Sequence, residues 1–386
     1  MTTLLETATT HRRYLHQIPE LSFNEFKTTA YIRDQLDALG IPYFAPLDTA
    51  TVVYFKGSDE NAETIGFRAD IDALPIVEET DVDFTSTHSG AMHACGHDGH
   101  TSILLTFAKW VKGEMDQGKL EKNILLLFQP SEETNAGADA LINAFPFHEY
   151  NVKELYGIHL GPDTPEKTLA TRSGFLMASA NEYRIEVKGL SAHVAQKEKG
   201  HNALGAVTTI ASQLSQLQHY FLNGLHQNII HIGNLSAGEA PNTVASNGLL
   251  SGTVRTYDPD DLAVITQKMQ TIVDSVDPLY GTASELILYK GYPAVDNHPD
   301  LIPTVEASAE SAGLSVQLLD EPYLFGEDFS FYSRVAKTNF AFLGARNEEK
   351  GYVHGLHTSK FNFDESVLLD GIHYFQSVAK TTGAIS

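Results

Sequence analysis

The sequence predicts an α/β protein: a mixed, largely parallel sheet with helices on both faces, interrupted by a smaller α+β domain. Three observations carry this. In the first half, apolar strand-like runs alternate with helical segments long enough to cross over a parallel sheet. From about residue 178 to 289 the order becomes β-α-β-β-α-β, that of a self-contained ferredoxin-like unit. The first pattern then resumes to the C-terminus. The expected division is 1–177 and 290–386 for the main domain and 178–289 for the insertion. A chain of 386 residues is long enough for two such cores.

The elements follow in order. FNEFKTTAYIRDQLDALG, Phe23 to Gly40, has helical spacing and a glycine stop. TVVYF and TIGFRAD read as strands. The histidine-rich HACGHDGH, His93 to His100, precedes a helix expected from Thr101. NILLLFQP is a buried strand ending at Pro130, AGADALINA a short helix and ELYGIHL a further strand. Within the insertion, NEYRIEVKG alternates as a half-exposed strand. A helix from about Asn202 to Leu222, strands at NIIHIGNLS and SNGLLSGTVRTYD, a helix from Pro259 to about Val276 and the strand ASELILYK complete it. A helix at Ile302 to Ala312, the strand NFAFLG and a helix from about Asp364 close the chain.

Bulk properties narrow the function. The 49 acids against 26 bases give a formal charge of −23, a field that repels nucleic acid and anionic membrane surfaces. The single cysteine permits no internal disulfide and suits a reducing compartment. The start, MTTLLETATTHRRYLHQ, lacks a basic stretch followed by an apolar run, so no signal peptide is expected. The longest apolar run, Ile124 to Phe128, is far short of the roughly 20 residues that span a bilayer. A cytoplasmic location is expected.

Chemistry concentrates at four places. Cys95-Gly96-His97 sets a thiol and an imidazole two residues apart, and zinc-type ions accept both. QPSEET follows a buried strand, at the sheet edge where ligands bind in open α/β folds. Neighbouring side chains there point apart, so one of Glu132 and Glu133 can hold a metal while the other acts as a general base. YGIHLG puts His159 on the same edge, and GLHTSKFNFDE puts His357 in a polar turn. Each feature alone also suits packing or capping. Together Cys95, His97, Glu133, His159 and His357 supply five ligands, enough for two ions, and leave Glu132 as the base. No G-x-S-x-G, P-loop, strand-following G-x-G-x-x-G or H-E-x-x-H is present. A cysteine nucleophile stays open as a weaker alternative.

In order and spacing, HRRYLHQIPELSFNEFKT, FRADIDALPI, MHACGHDGHT, FQPSEET, GIHL, GEDFSFY and GLHTSKFNFDE resemble the M20 metallopeptidases. They resemble most the amidohydrolase branch with hippurate hydrolases, auxin-conjugate hydrolases and N-acetyldiaminopimelate deacetylases. The resemblance implies a di-metal aminopeptidase-like fold with an inserted lid through which subunits dimerise. It implies two divalent ions (zinc, manganese, cobalt or nickel) and hydrolysis of a small N-acyl amino acid. It assigns Cys95, His97, Glu133, His159 and His357 as ligands, Cys95 as their bridge and Glu132 as the base. Relatives with an H-x-D motif have Arg68-Ala69-Asp70 in its place here, so Asp70 and Asp98 are expected to support ligands, Asp98 by orienting a ligand histidine or, alternatively, as a surface N-cap.

In the insertion, KGLSAHVAQKEKGHNA has Leu190-Ser191 where many relatives have glycines, and lacks their Pro-His pair. His193 is expected to stabilise the oxyanion, and Asn242, Arg255 and Gly326 to bind substrate. LSAHVAQKEKGH and LFGEDFSFY point to the N-acetyl-L,L-diaminopimelate deacetylases, with a general N-acyl-amino-acid or small-peptide hydrolase as the alternative. An inactive metal- or ligand-binding relative is the remaining class.

Overall fold

A computed structural model describes residues 3–59 and 62–386. The chain divides into two compact units. The first takes the chain up to Leu176, with Asp296–Pro322 and Asp328–Ser386; the second takes Met177–Val295 and Tyr323–Glu327. The second unit thus extends past the expected 178–289, because the segment holding Gly326 returns to it: the Ala178 amide donates to the Tyr323 carbonyl at 3.0 Å.

The first unit is built on eight strands. Across the sheet they are Tyr43–Phe44, Thr51–Phe55, Asn123–Gln129, Thr64–Asp70, Val152–Pro165, Lys337–Arg346, Thr168–Thr171 and Ser315–Leu318. The central strands Asn123–Gln129, Thr64–Asp70, Val152–Pro165 and Lys337–Arg346 run parallel to one another; antiparallel pairings flank them on both sides, and the outermost pair, Thr168–Thr171 with Ser315–Leu318, is parallel again. Asn123–Gln129 and Thr64–Asp70 are buried throughout, which explains the unbroken apolar run Ile124–Phe128 in the first. Helices Leu4–His16, His97–Asp116, Ile302–Ser311 and Ser366–Thr381 pack on one another and complete the core. At its centre Phe67 meets Phe107 at 4.7 Å and Phe375 at 5.0 Å between ring centroids. Each such buried ring contributes about 1.5–3 kcal/mol over exposure.

Two elements differ from expectation. Leu4–His16 is a helix opened by a capping box: the Thr3 hydroxyl accepts from the Glu6 amide and the Glu6 carboxylate accepts from the Thr3 amide. The helix expected from Thr101 instead starts at His97, after Gly96 in the left-handed region (φ 86°). A Cβ on Gly96 would also come within 2.7 Å of Leu160, so glycine is required twice over there.

The second unit is a four-stranded antiparallel sheet in the order Ala283–Leu288, Asn181–Lys188, Asn247–Thr256, Asn228–Ala237. Helices Ala203–Leu214 and Pro259–Tyr280 cover it through Val207, Ile210, Ile265, Met269 and Val273. Among the described residues, no helix is long and apolar enough to cross a membrane.

Candidate metal centre

Sheet register assembles the centre. Asp70 pairs with Gln129 across parallel strands, and Arg68 pairs with Gly157. Asp70, the loop after Gln129 and His159 therefore reach the same level at one sheet edge. Cys95 comes from the loop that leads into the His97–Asp116 helix. His357 arrives from a turn in the left-handed region (φ 59°), its backbone amide donating to Ala94 at 2.9 Å, beside Cys95.

The ligand atoms converge. The donor atoms of Cys95, Glu133 and His357 lie within 4.8 Å of one another, as do those of His97, Glu132 and Glu133. Cys95 Sγ is 3.3 Å from His159 Nε2, and His357 Nε2 is 3.3 Å from Glu133 Oε2. The structure thus brings together Cys95, His97, Glu132, Glu133, His159 and His357.

Surrounding groups fix which nitrogen faces inward. His97 Nδ1 donates to the Asp72 carbonyl at 2.9 Å, leaving Nε2 bare. His159 Nδ1 donates to the Leu160 carbonyl at 2.8 Å and turns its Nε2 toward Cys95. His100 lies as near, but both its nitrogens are engaged, Nδ1 with Asp70 at 2.6 Å and Nε2 accepting from the Leu160 amide at 2.9 Å. It is a support and not a ligand. Asp70 is also paired with Arg68, at 2.6 Å.

Two observations fit this set to a bound cation. His97 Nε2 and Glu133 Oε1 are buried without a hydrogen-bond partner and face each other at 3.8 Å. Two acceptors so placed need a positive charge between them. The electrostatics agree: burial would lower the His97 imidazole, but Asp70, Asp72 and Glu133 outweigh it and raise it to about 10. The protein field stabilises one positive charge at this point. Burial, then Glu133, Glu132 and Asp70, push the Cys95 thiol up, so a thiolate there requires a cation as partner. Sulfur, nitrogen and carboxylate donors together suit borderline divalent metals.

Asp98 differs from expectation. It is buried, so it is not a surface cap, and its carboxylate meets His16 Nδ1 at 2.8 Å and Arg12 Nε at 3.4 Å instead of a ligand histidine. The histidine-orienting carboxylate is Asp72, which also accepts from the Glu133 amide at 3.0 Å. Asp72 was legible: Arg68, Asp70 and Asp72 follow the two-residue repeat that puts side chains on one face.

In the second unit the expected residues fall into two neighbourhoods. His193 caps the Val194–Lys199 turn, its Nδ1 accepting from the Ala195 amide, while the Val194 amide donates to the Asn242 carbonyl at 3.0 Å. Arg255 and Gly326 are the other pair: a Cβ on Gly326 would stand 3.4 Å from the Arg255 guanidinium and 2.8 Å from Ala180.

An α/β protein with sulfur, imidazole and carboxylate donors gathered at the carboxyl edge of its sheet, Cys95, His97 and His159 buried and His357 exposed, has a site suited to metal-dependent hydrolysis. The chain belongs to peptidase family M20/M25/M40, which matches residues 66–381. It is 48% identical over 377 residues to a Staphylococcus epidermidis hydrolase, covering 97% of this chain and 98% of that one. It also resembles the structure of a dinuclear-metal-binding M20 peptidase from Bacillus subtilis, with 29% identity, a TM-score of 0.82 and 97% of each chain covered. At 21% identity, the aminobenzoyl-glutamate utilization protein of Klebsiella pneumoniae shares the fold, with a TM-score of 0.72 over 97% of this chain and 95% of that one.

Proposed function

We propose that the protein is a two-metal amidohydrolase that releases acetate from N-acetyl-L,L-diaminopimelate, giving L,L-diaminopimelate in lysine biosynthesis. The observation that carries the chemistry is the Glu132–Glu133 pair beside the bare His97 nitrogen. Cys95, His97, Glu133, His159 and His357 would hold the ions. Bound divalent ions supply Lewis acidity toward the amide carbonyl and lower the pKa of the attacking water. Glu132 takes that water's proton and passes it to the leaving amine. His193 stabilises the oxyanion, and Asn242, Arg255 and Gly326 hold the amino-acid end. Asp70 supports the centre through His100.

The substrate rests on the LSAHVAQKEKGH and LFGEDFSFY motifs. The protein works as a cytoplasmic homodimer; Asn228–Ala237, an edge strand of the second unit, offers an unpaired backbone for association. The Bacillus subtilis relative, a dinuclear-metal-binding peptidase, favours one alternative, a small-peptide or general N-acyl-amino-acid hydrolase.

The test is acetate release after reconstitution with zinc, manganese, cobalt or nickel. N-Acetyl-L,L-diaminopimelate should show the highest kcat/KM in a panel with other acetyl amino acids, benzoyl amino acids and dipeptides. A higher value for a dipeptide or a benzoyl substrate would replace this assignment with the alternative.

A further inference from the structure

The segment Pro19–Glu25, PELSFNE, contributes no ligand, yet it braces the Glu132–Glu133 loop at two points. Ser22 Oγ donates to Asp72 Oδ2 at 2.8 Å, the same oxygen that accepts from the Glu133 amide. Glu25 is fully buried, and its Oε1 accepts from the Ser131 amide at 2.8 Å and the Phe23 amide at 2.9 Å. Both of those residues are in the left-handed region, each at φ 57°.

That coincidence has energetic content. A non-glycine residue in such a conformation is strained and persists only where its surroundings hold it. The loop carries three of them, Ser131, Asn135 and Ala136. Ser131 stands immediately before Glu132, so its peptide plane sets the direction in which the Glu132 side chain leaves the backbone. Glu25 has no role in the metal set, and its Oε2 is buried without a hydrogen-bond partner. A buried carboxyl is costly unless its hydrogen bonds are needed. Burial and the nearby Asp72 raise it to about 7.

We infer that Glu25 is a positioning residue for catalysis: it fixes the strained Ser131 peptide and so aims Glu132, while Asp72 separately fixes Glu133. This rests on the proposed role of Glu132 as base. The two braces should be separable. Loss of Glu25 should impair turnover and spare metal binding; loss of Asp72 should impair metal binding, by about 10–100-fold in affinity.

The experiment compares Glu25→Ala, Glu25→Asp and Glu25→Gln with wild type, Asp72→Asn and Glu132→Gln. It reads kcat, KM, metal bound per chain and the melting temperature of the metal-free protein. Glu25→Ala should lower kcat about 10²-fold, the scale of a misplaced catalytic group, with KM and bound metal unchanged. Glu25→Gln keeps an acceptor oxygen at the same reach and should restore kcat to within about fivefold of wild type. Glu25→Asp is one methylene short of Ser131 and should behave like alanine; if the alanine variant does not fold, the aspartate and glutamine pair decides. Wild-type kcat in Glu25→Asp, metal loss parallel to the kcat loss, or no rescue by glutamine would overturn the inference. An inactive Glu132→Gln beside an active Glu25→Asp would sink this inference alone, whereas an active Glu132→Gln would sink the base assignment beneath it.

Discussion

In the first unit His97, Glu133 and His159 are each held by a second buried partner: the Asp72 carbonyl, the Asp72 carboxylate and the Leu160 carbonyl. In the second unit His193 and Asn242 are exposed: the His193 ring accepts from the Ala195 amide two residues on, and the Asn242 carbonyl accepts from the Val194 amide. The difference teaches where each kind of function can live. A metal centre needs its donor atoms desolvated, oriented and complementary in charge before the ion arrives, and only a sheet edge backed by a packed core provides this. Groups exposed in turns need no such shell, so substitutions among them come at little cost to folding.

That contrast can be broken most directly at Cys95. Cys95→Ser should bind less than one metal per chain and lose activity, with the melting temperature of the metal-free protein unchanged, because the residue supplies a donor atom and little packing. Retention of both metal and activity would reduce Cys95 to a buried small residue. A change in the second unit should do the opposite. His193→Ala should lower kcat/KM by about 10²-fold and leave bound metal at the wild-type level. Metal loss in that variant would erase the distinction between the units.

The smallest effect separates shells within the first unit. Burial would lower His16, but Asp98 outweighs it and raises the imidazole from 6.5 to about 9. The sign follows from the direction: this charge pair stabilises the fold fully below about pH 6.5, and its contribution is lost as pH rises through about 9. Asp98→Asn removes the anion. Urea unfolding should show the wild type's advantage over Asp98→Asn shrinking by about 1–3 kcal/mol between those limits, with metal content equal in the two proteins. An advantage that is flat with pH would contradict the His16–Asp98 charge pair, and loss of metal from Asp98→Asn would restore the expected role of Asp98 beside a ligand histidine.

Much of this was legible in the sequence, for identifiable reasons. TVVYF and NILLLFQ are buried at nearly every residue and announce themselves by short apolar runs, while TIGFRAD, buried throughout, also carries the paired Arg68 and Asp70. The clustering of Cys95, His97, Glu132, Glu133, His159 and His357 was legible because thiol, imidazole and paired carboxylates are expensive to bury without a task. The supporting groups were less so: Asp72 left only its alternation with Arg68 and Asp70, and Glu25 left no signal because it meets Ser131 across 106 residues. Asp98 misled because its neighbour in sequence, His97, turns away from it at the helix start, while His16 approaches from 82 residues off. The short strands Thr168–Thr171 and Ser315–Leu318 had too few residues to show a period. The Leu4–His16 helix did carry a local signal, the Thr3 and Glu6 capping box.

The central claim is the division of labour between two adjacent carboxylates, Glu133 for metal and Glu132 for the proton. Glu132→Gln tests it with bound metal and kcat measured on the same preparation. The account predicts wild-type metal content and a kcat lower by about 10²–10⁴-fold. Wild-type kcat, or a loss of metal that accounts for the loss of turnover, would contradict it.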